Sequence, residues 1–491
     1  MPFVDPFLNK ITMYRLVLYG LVATVVWAFG MSLLGQLSYN PLHLLGSLAI
    51  LLVVCYGTNN LIARLLKAPT NVESWGITAL ILFLTLAPIL DGVNAFYIAA
   101  AGAGAMASKY LLAVRKRHVF NPAAFGLFLL SVTGIGLATW WVASPIMLPI
   151  VLVLGVLIVR KIRRFDTFLP FFAAATVLYV GRSVLDGASL AEAFSLLILS
   201  GPIIFMGTVM LTEPFTMPPS RTLRVVYGVL VGLLFASHFS LGPLYSTPHL
   251  ALLVGNLYAF AVGSRQRLML TLRRREEVAP GIFEFVFSSN EKLRFEAGQY
   301  LEWTLPHKKA DTRGNRRYLS ISSAPNEGDI RFATRIGERS SSFKKALLSL
   351  SEGSTLSAAS LAGDFTLPKD ATKPLVCIAG GIGITPFASM LRHMAQTGVT
   401  RPITLIYAAN SEQDFAFKGL IDEVAAVHGI KPVYLAGTRL TKEVLRKEVS
   451  DLGAPTFYIS GPDVMVRANK ALLRSLHVPL SHIKTDYFPG L

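Results

Sequence analysis

Cysteine is almost absent. The 491 residues contain two, Cys55 and Cys377, too few for an iron–sulfur cluster held by this chain alone, which takes four thiolates. One lies in an apolar run and the other before a glycine-rich turn, so no structural disulfide is expected. Acids are scarce as well: 29 Asp and Glu face 46 Lys and Arg, for a net charge of +17. No basic–aromatic face or binding motif accompanies that excess, which excludes nucleic acid as the partner. Histidine is thin in the first half. His43, His118, His238 and His249 all fall near the ends of apolar segments, where they cannot form the stacked mid-helix pairs that two haems require. Intramembrane acids on an ion path are also few, with Glu192 and Glu213 the candidates.

What the chain has in abundance is apolar sequence. Hydrophobic residues make up 53% and the mean hydropathy is +0.52, with the excess concentrated before residue 265. Apolar segments recur at 12–35, 43–63, 74–91, 93–113, 121–142, 145–160, 167–181, 190–212, 223–240 and 247–264. Several approach the ~20 residues a bilayer span needs. The first is long and followed by others, so it is expected to remain as a helix rather than be cleaved. Basic residues cluster in alternate loops: Arg64 and Lys67, Arg115 to Arg117, Arg160 to Arg164, then Arg221 and Arg224. An even number of about ten spans, with both termini cytoplasmic in an inner membrane, places them all inside. The run from Arg265 through Arg273–Arg275 reads as the cytoplasmic start of the second half.

Three membrane loops break with Pro, Gly, Asn and Thr: Ala68-Pro69-Thr70-Asn71, Phe120-Asn121-Pro122-Ala123-Ala124, and the stretch from Phe205-Met206-Gly207-Thr208 to Leu211-Thr212-Glu213-Pro214. Irregular backbone at membrane depth survives where it is buried in protein or lines a cavity. A ligand pocket and ordinary caps and turns are both open readings of these loops.

The second half changes period. Ile282–Phe287, Tyr300–Leu305, Ile330–Arg335 and Thr355–Ala359 alternate as short strands, predicting an antiparallel barrel. From Pro374, the strands LVCIAGG, ITLIYAAN, KPVYLAG and TFYISGP alternate with helical stretches, predicting a parallel doubly wound sheet. The first of these strands ends in Gly380-Gly381-Ile382-Gly383 followed by Thr385-Pro386, a turn whose N–H groups suit a pyrophosphate. Ser460-Gly461-Pro462 occupies the same carboxyl edge, where such sheets bind ligands. Arg392 and His393 are expected on the surface of the helix that follows the turn.

Two resemblances follow. Ala68–Asn71, the block from Ser108 to Gly126 and the block from Gly201 to Gly228 resemble the RnfD/NqrB membrane family. Its members are integral components of the Rnf electron-transport complex and of the sodium-translocating NADH:quinone reductase. That resemblance covers most of residues 10–262 and implies ten helices and bound flavin. The family attaches FMN covalently to a threonine in a Ser-Gly-Ala-Thr motif. Here the loop reads from Leu185 to Glu192, with Glu192 where the threonine stands, so no phosphoester-linked FMN is expected. A second, non-covalent flavin (FMN or riboflavin) remains implied, with Asn121, Met206, Thr208, Thr212 and Glu213 as its candidate lining.

Residues 268–491 resemble the ferredoxin–NADP+ reductase superfamily. Gly298-Gln299-Tyr300 matches its first barrel signature, and Arg317-Tyr318-Leu319-Ser320-Ile321-Ser322-Ser323 its flavin signature. By that resemblance Arg317 neutralises the FAD pyrophosphate and Ser320 approaches the flavin ring. Leu319 stands where the aromatic ring partner usually does, with Tyr318 one position away. Thr334, Arg335, Ser341 and Ser342 fit a second phosphate-binding segment, and Ser323 belongs to the flavin set. Gly380, Gly381, Gly383, Thr385 and Pro386 match the nicotinamide-nucleotide turn, while Ser460, Gly461 and Pro462 match a Cys-Gly-Pro turn with serine for cysteine. Asp486 to Gly490, including Phe488, resembles the segment that covers the flavin.

The expected architecture is therefore a polytopic α-helical membrane domain (1–265) fused to a cytoplasmic antiparallel β-barrel FAD domain (266–370) and an α/β doubly wound NAD(P)-binding domain (371–491). The expected function is a membrane-bound NAD(P)H oxidoreductase with Ser320, Thr385 and Ser460 at the reacting rings. FAD would pass electrons to the second flavin and on to a quinone or transmembrane acceptor. A haem-type transmembrane reductase and an ion-coupled transport subunit regulated by a reductase domain are the alternatives. After Tyr407, Ala408-Ala409-Asn410-Ser411 offers neither an acid that selects NADH nor an arginine pair that selects NADPH.

Overall fold

The computed structural model describes residue 8 and residues 11–66, 72–89, 91–114, 117–136, 138–263, 268–308, 310–311, 314–338 and 340–488. The chain divides into two compact units, Met1–Arg265 and Gln266–Leu491.

The first unit is helical. Met13–Leu33, Pro41–Leu65 and Phe165–Leu185 are each long and apolar enough to cross a membrane. The bent pair Leu190–Leu199 and Ile203–Met210 is a fourth candidate span. Caps mark the starts: Asn40, Asn121 and Thr247 each precede a first-turn proline and accept a backbone N–H. Helices approach closely through small residues. On Arg221–Ala236, a Cβ added to Gly228 or Gly232 would lie 2.5 Å from the carbonyl oxygens of Thr167 and Phe171 respectively. Arg224 on the same helix is buried and donates to Asp166 Oδ2 from Nε (2.9 Å) and Nη2 (2.7 Å).

Two apolar segments depart from the helices expected of them. The 121–142 segment is helical only from Pro122 to Thr133, where Gly134 takes a left-handed conformation and ends it. Beyond it, Trp140 and Val142 donate their N–H groups to Thr85 O and Leu84 O, and Trp141 Nε1 reaches Phe83 O at 2.8 Å. Apolar composition here serves a buried irregular segment, with Trp140 at φ +49°, rather than the end of a helix. The 190–212 segment bends by 58° at Gly201-Pro202, since proline cannot continue the hydrogen-bond ladder, and continues as a π-turn from Met206 to Met210.

The second unit holds two sheets. The antiparallel one contains β1 (Leu268–Ala279), β2 (Ile282–Ser289), β3 (Tyr300–Thr304), β4 (Arg316–Ser320), β5 (Asp329–Arg335) and β6 (Thr355–Ala362), in the order β4-β3-β6-β1-β2-β5. Its core is aromatic: Phe287 stacks on Phe332 at 5.6 Å, and the Trp303 ring lies 4.2 Å from Phe332. β1 was hidden in the sequence. Leu268, Leu270 and Leu272 point inward, but the strand then runs through Arg273-Arg274-Arg275-Glu276-Glu277, which reads as a loop.

The parallel sheet contains β7 (Leu375–Gly380), β8 (Ile403–Ala409), β9 (Ile430–Ala436), β10 (Thr456–Pro462) and β11 (Ile483–Phe488), in the order β9-β8-β7-β10-β11. The chain winds outward from β7 to β9, then returns to the other side of β7 for β10. That reversal is a topological switch point, beyond whose strand ends such sheets bind ligands. Every residue of β7 is buried, as suits a strand covered on both faces. Among them is Cys377, whose thiol pKa burial pushes far up.

Candidate nucleotide and flavin site

The two turns at this switch point interlock. A Cβ on Gly383 would lie 2.3 Å from Ser460 O, and one on Gly380 would lie 2.0 Å from Met465 Sδ. Backbone packing requires Gly383, whereas Gly380 faces a methionine side chain that can give way. Gly381 differs: its φ is +51° and open space lies above it. Its carbonyl accepts a 3.1 Å hydrogen bond from Tyr407 on β8, and burial holds that phenol protonated well above its ordinary range. Thr385 Oγ1 donates to Ile382 O at 2.7 Å, so the hydroxyl closes the turn on itself. Pro386 occupies the first helical turn of Thr385–Thr397. Gly461 and Pro462 end β10, opposite Tyr487 and Phe488 of β11. The Tyr487 and Phe488 side chains and Pro489 to Leu491 lie outside the described residues.

Ser460 is wholly buried and Ser320 is 2% exposed. Among the described residues, neither hydroxyl has a hydrogen-bond partner. Buried polar atoms are normally satisfied, so both hydroxyls retain hydrogen-bonding capacity.

Pairing of β3 with β4 sorts the flavin motif onto two faces. Tyr300, Glu302, Tyr318 and Ser320 share one, and Trp303, Leu319 and Arg317 share the other. Tyr318 donates to Glu302 Oε2 at 2.6 Å and stands edge-on to Tyr300 at 5.8 Å, on the same face as Ser320. Leu319 packs inward.

Arg317 is buried, 5.1 Å above the Phe343 ring and 3.8 Å from Asp311 Oδ1. Asp311 in turn accepts from the Ser342 N–H at 3.0 Å, and the Ser342 hydroxyl meets His307 Nε2 at 2.9 Å. Arg317 and Ser342 are thus joined through one carboxylate. Ser341 caps the seven-residue helix Ser342–Leu348. Ser323 Oγ accepts from the Arg331 N–H at 3.1 Å. Thr334 is buried in β5, whereas Arg335 turns away and pairs with Asp414 at 2.8 Å. That hydrogen bond lowers the Asp414 pKa below the usual carboxylate range.

In the helical unit, Asn121 and Glu213 meet: Asn121 Nδ2 donates to Glu213 Oε2 at 2.9 Å, while His118 Nε2 lies 3.4 Å from Oε1. Asn256 extends the network to the Asn121 N–H and the Tyr227 hydroxyl. Met206, Thr208 and Thr212 are buried. Thr208 donates to Ile204 O at 2.7 Å and Thr212 to Thr208 O at 2.6 Å, so both hydroxyls are spent on their own helix. An apolar pocket of about 520 Å³ lies elsewhere, lined by Leu18, Val25, Phe29, Leu48 and Trp75 among others. None of the five residues singled out from the sequence lines it.

Sequence reasoning missed Arg392. Instead of a surface position, it donates from Nη1 to Glu284 Oε1 at 2.7 Å and from Nη2 to Oε2 at 3.0 Å. A lone glutamate in the apolar strand IFEFVF was the available signal.

Residues 377–471 match the family of the oxidoreductase NAD-binding domain. Among similar curated proteins, the flavohemoprotein of Burkholderia sp. (strain TH2) is 31% identical over 40% of this chain and 52% of that protein. The reductase component of propane 2-monooxygenase from Gordonia sp. (strain TY-5) is 27% identical over 40% of this chain and 60% of that protein. The FAD/NAD-binding domain of a nitric oxide dioxygenase from Vibrio cholerae O1 biovar El Tor aligns over 45% of this chain and 98% of that chain, with 21% identity and a TM-score of 0.40. The chain spans about half the length of the curated relatives it matches. The C-terminal half is similar to flavohemoproteins and to reductase components of oxygenases.

Proposed function

We propose that this chain is a membrane-bound, flavin-dependent NAD(P)H oxidoreductase. Electrons would pass from NAD(P)H through FAD to a second, non-covalent flavin in the helical unit, and on to a quinone or transmembrane acceptor. The observation that carries the reading is the switch point between β7 and β10, where Gly381 is open above and Ser460, on the neighbouring strand, keeps a buried hydroxyl unpartnered among the described residues.

The residues fit the groups assigned to them. The Gly381 turn suits a pyrophosphate, and the Ser320 and Ser460 hydroxyls suit polar edges of the two rings. When bound, FAD supplies the two-electron acceptor that amino-acid side chains cannot. The chain's own part is binding and alignment. Tyr407 holds the Gly381 carbonyl inward, which leaves the outer side of the turn to the nucleotide. Arg317 supplies positive charge, and Ser320 and Ser460 donate hydrogen bonds.

Ten spans, cytoplasmic termini and kinship with the RnfD/NqrB family belong to the same proposal, supported by the recurring apolar segments and the basic loops between them. The test is flavin extraction before and after denaturation, combined with anaerobic NAD(P)H titration. Two bound flavins, both bleached by NAD(P)H, are expected. A single flavin per chain overturns the relay.

A further inference from the structure

We infer that Arg392 is a positioning residue that sets the nucleotide turn against the flavin segment, a role that rests on the proposed reductase activity. Glu284 lies on β2 with its side chain 1% exposed, and Arg392 grips both of its oxygens. Arg392 Nη1 also donates to Ser322 O at 2.8 Å, and the Ser322 hydroxyl donates to Glu284 Oε1 at 2.6 Å. One turn earlier on the same helix, Ser389 Oγ donates to Ser323 O at 2.7 Å.

Two residues spaced three apart on one helix therefore hold two consecutive residues of the other lobe. Both ends of this clamp adjoin a cofactor segment. The helix bearing Ser389 and Arg392 begins at Thr385, directly after the Gly381–Gly383 turn. Ser322 lies two residues beyond Ser320, whose hydroxyl is unpartnered among the described residues. Rotating either lobe against the other would break a bidentate pair and strand Glu284 in the interior. A buried charge without its partner is far costlier than a surface one.

Arg331 stands 3.7 Å from Glu284 but belongs to β5 of the same sheet, so among the described residues Arg392 carries the carboxylate's grip across to the nucleotide lobe. The guanidinium also lies 5.3 Å over the Phe417 ring, which fixes its plane. Lysine would keep the charge and lose the fork. The reaction served moves a hydride, one proton with two electrons, from the nicotinamide, which is oxidised, to the flavin, which is reduced. Small errors in alignment slow such a step without weakening binding.

The test uses the full-length protein and its Arg392→Lys, Arg392→Met and Glu284→Gln variants, with anaerobic stopped-flow reduction by NAD(P)H. Limiting reduction is expected to slow about 10- to 100-fold in Arg392→Met, with flavin retained, NAD(P)H affinity within about 3-fold of wild type, and a weakened nicotinamide–flavin charge-transfer absorbance. Arg392→Lys should fall between it and wild type. Equal limiting rates in wild type and variants overturn the inference alone. Loss of flavin and fold together in all three variants also overturns it, since the pair is then a folding bridge. If NAD(P)H fails to bleach the wild-type flavin, the reductase reading itself falls.

Discussion

The carbonyl oxygen of Ser460 lies 2.3 Å from where a Cβ on Gly383 would stand. The end of β10 and the turn after β7 are therefore packed backbone to backbone, with no room for a side chain between them. Neither partner is the mobile end of a side chain, so the contact cannot yield locally.

Replacing Gly383 by alanine should cost stability by about 1–3 kcal/mol through overpacking. Gly381→Ala meets open space and only the left-handed backbone penalty, about 1 kcal/mol. Denaturant unfolding should separate the two. Nucleotide titration should reverse the order, Gly381→Ala losing NAD(P)H affinity by more than its stability loss accounts for.

Ser320→Ala and Ser460→Ala should leave the flavin-free protein as stable as wild type, since each removes a buried hydroxyl that has no partner to lose among the described residues. In the loaded protein each should slow NAD(P)H-driven bleaching by about 10- to 100-fold. Equal rates in variant and wild type would remove both serines from the reacting rings.

Asp166→Ala should destabilise the detergent-solubilised protein by about 3–5 kcal/mol, because it leaves the buried Arg224 guanidinium without its carboxylate. The double substitution Asp166→Leu with Arg224→Met should recover much of that loss, as removing both charges removes the desolvation penalty. Thermal melts in detergent give the comparison.

Asp414 gives a pH signature. Its folded pKa is depressed by Arg335, so the unfolded chain holds the proton more tightly at this group. The pair's contribution is therefore complete above the unfolded carboxylate value of about 3.9 and is lost as pH falls through the lower folded value. Arg335→Gln should therefore lower stability modestly at neutral pH and flatten that acid limb, with the difference from wild type vanishing at low pH, which acid titration of unfolding would show.

Local pattern carried much of the second unit. Alternation located β2, β3, β5 and β6 within a residue or two at most ends, and the apolar runs located β7 to β10. β1 escaped because a positively charged run beside an apolar half looks like a membrane flank, although Arg274 and Arg275 pair with Val286 and Phe285 in the sheet register. In the helical unit, composition could not distinguish a buried irregular segment at Trp140–Val142 from the tail of a span. The site showed the same division. Glycines and serines in short motifs could be read directly, because turns demand them. Arg392 and Glu284 could not, since they are 108 residues apart and their meeting is a property of the packed lobes.

Both thiols of this chain are sealed. Cys55 is fully buried and Cys377 is 3% exposed, with the latter held protonated by its surroundings. Flavins that carry two electrons leak some of them to oxygen and make peroxide beside their own protein. A chain with no accessible thiolate gives that peroxide no thiol to oxidise, so its working life should be set by other chemistry. The same seal makes every cysteine introduced on the surface a unique attachment point for a reporter.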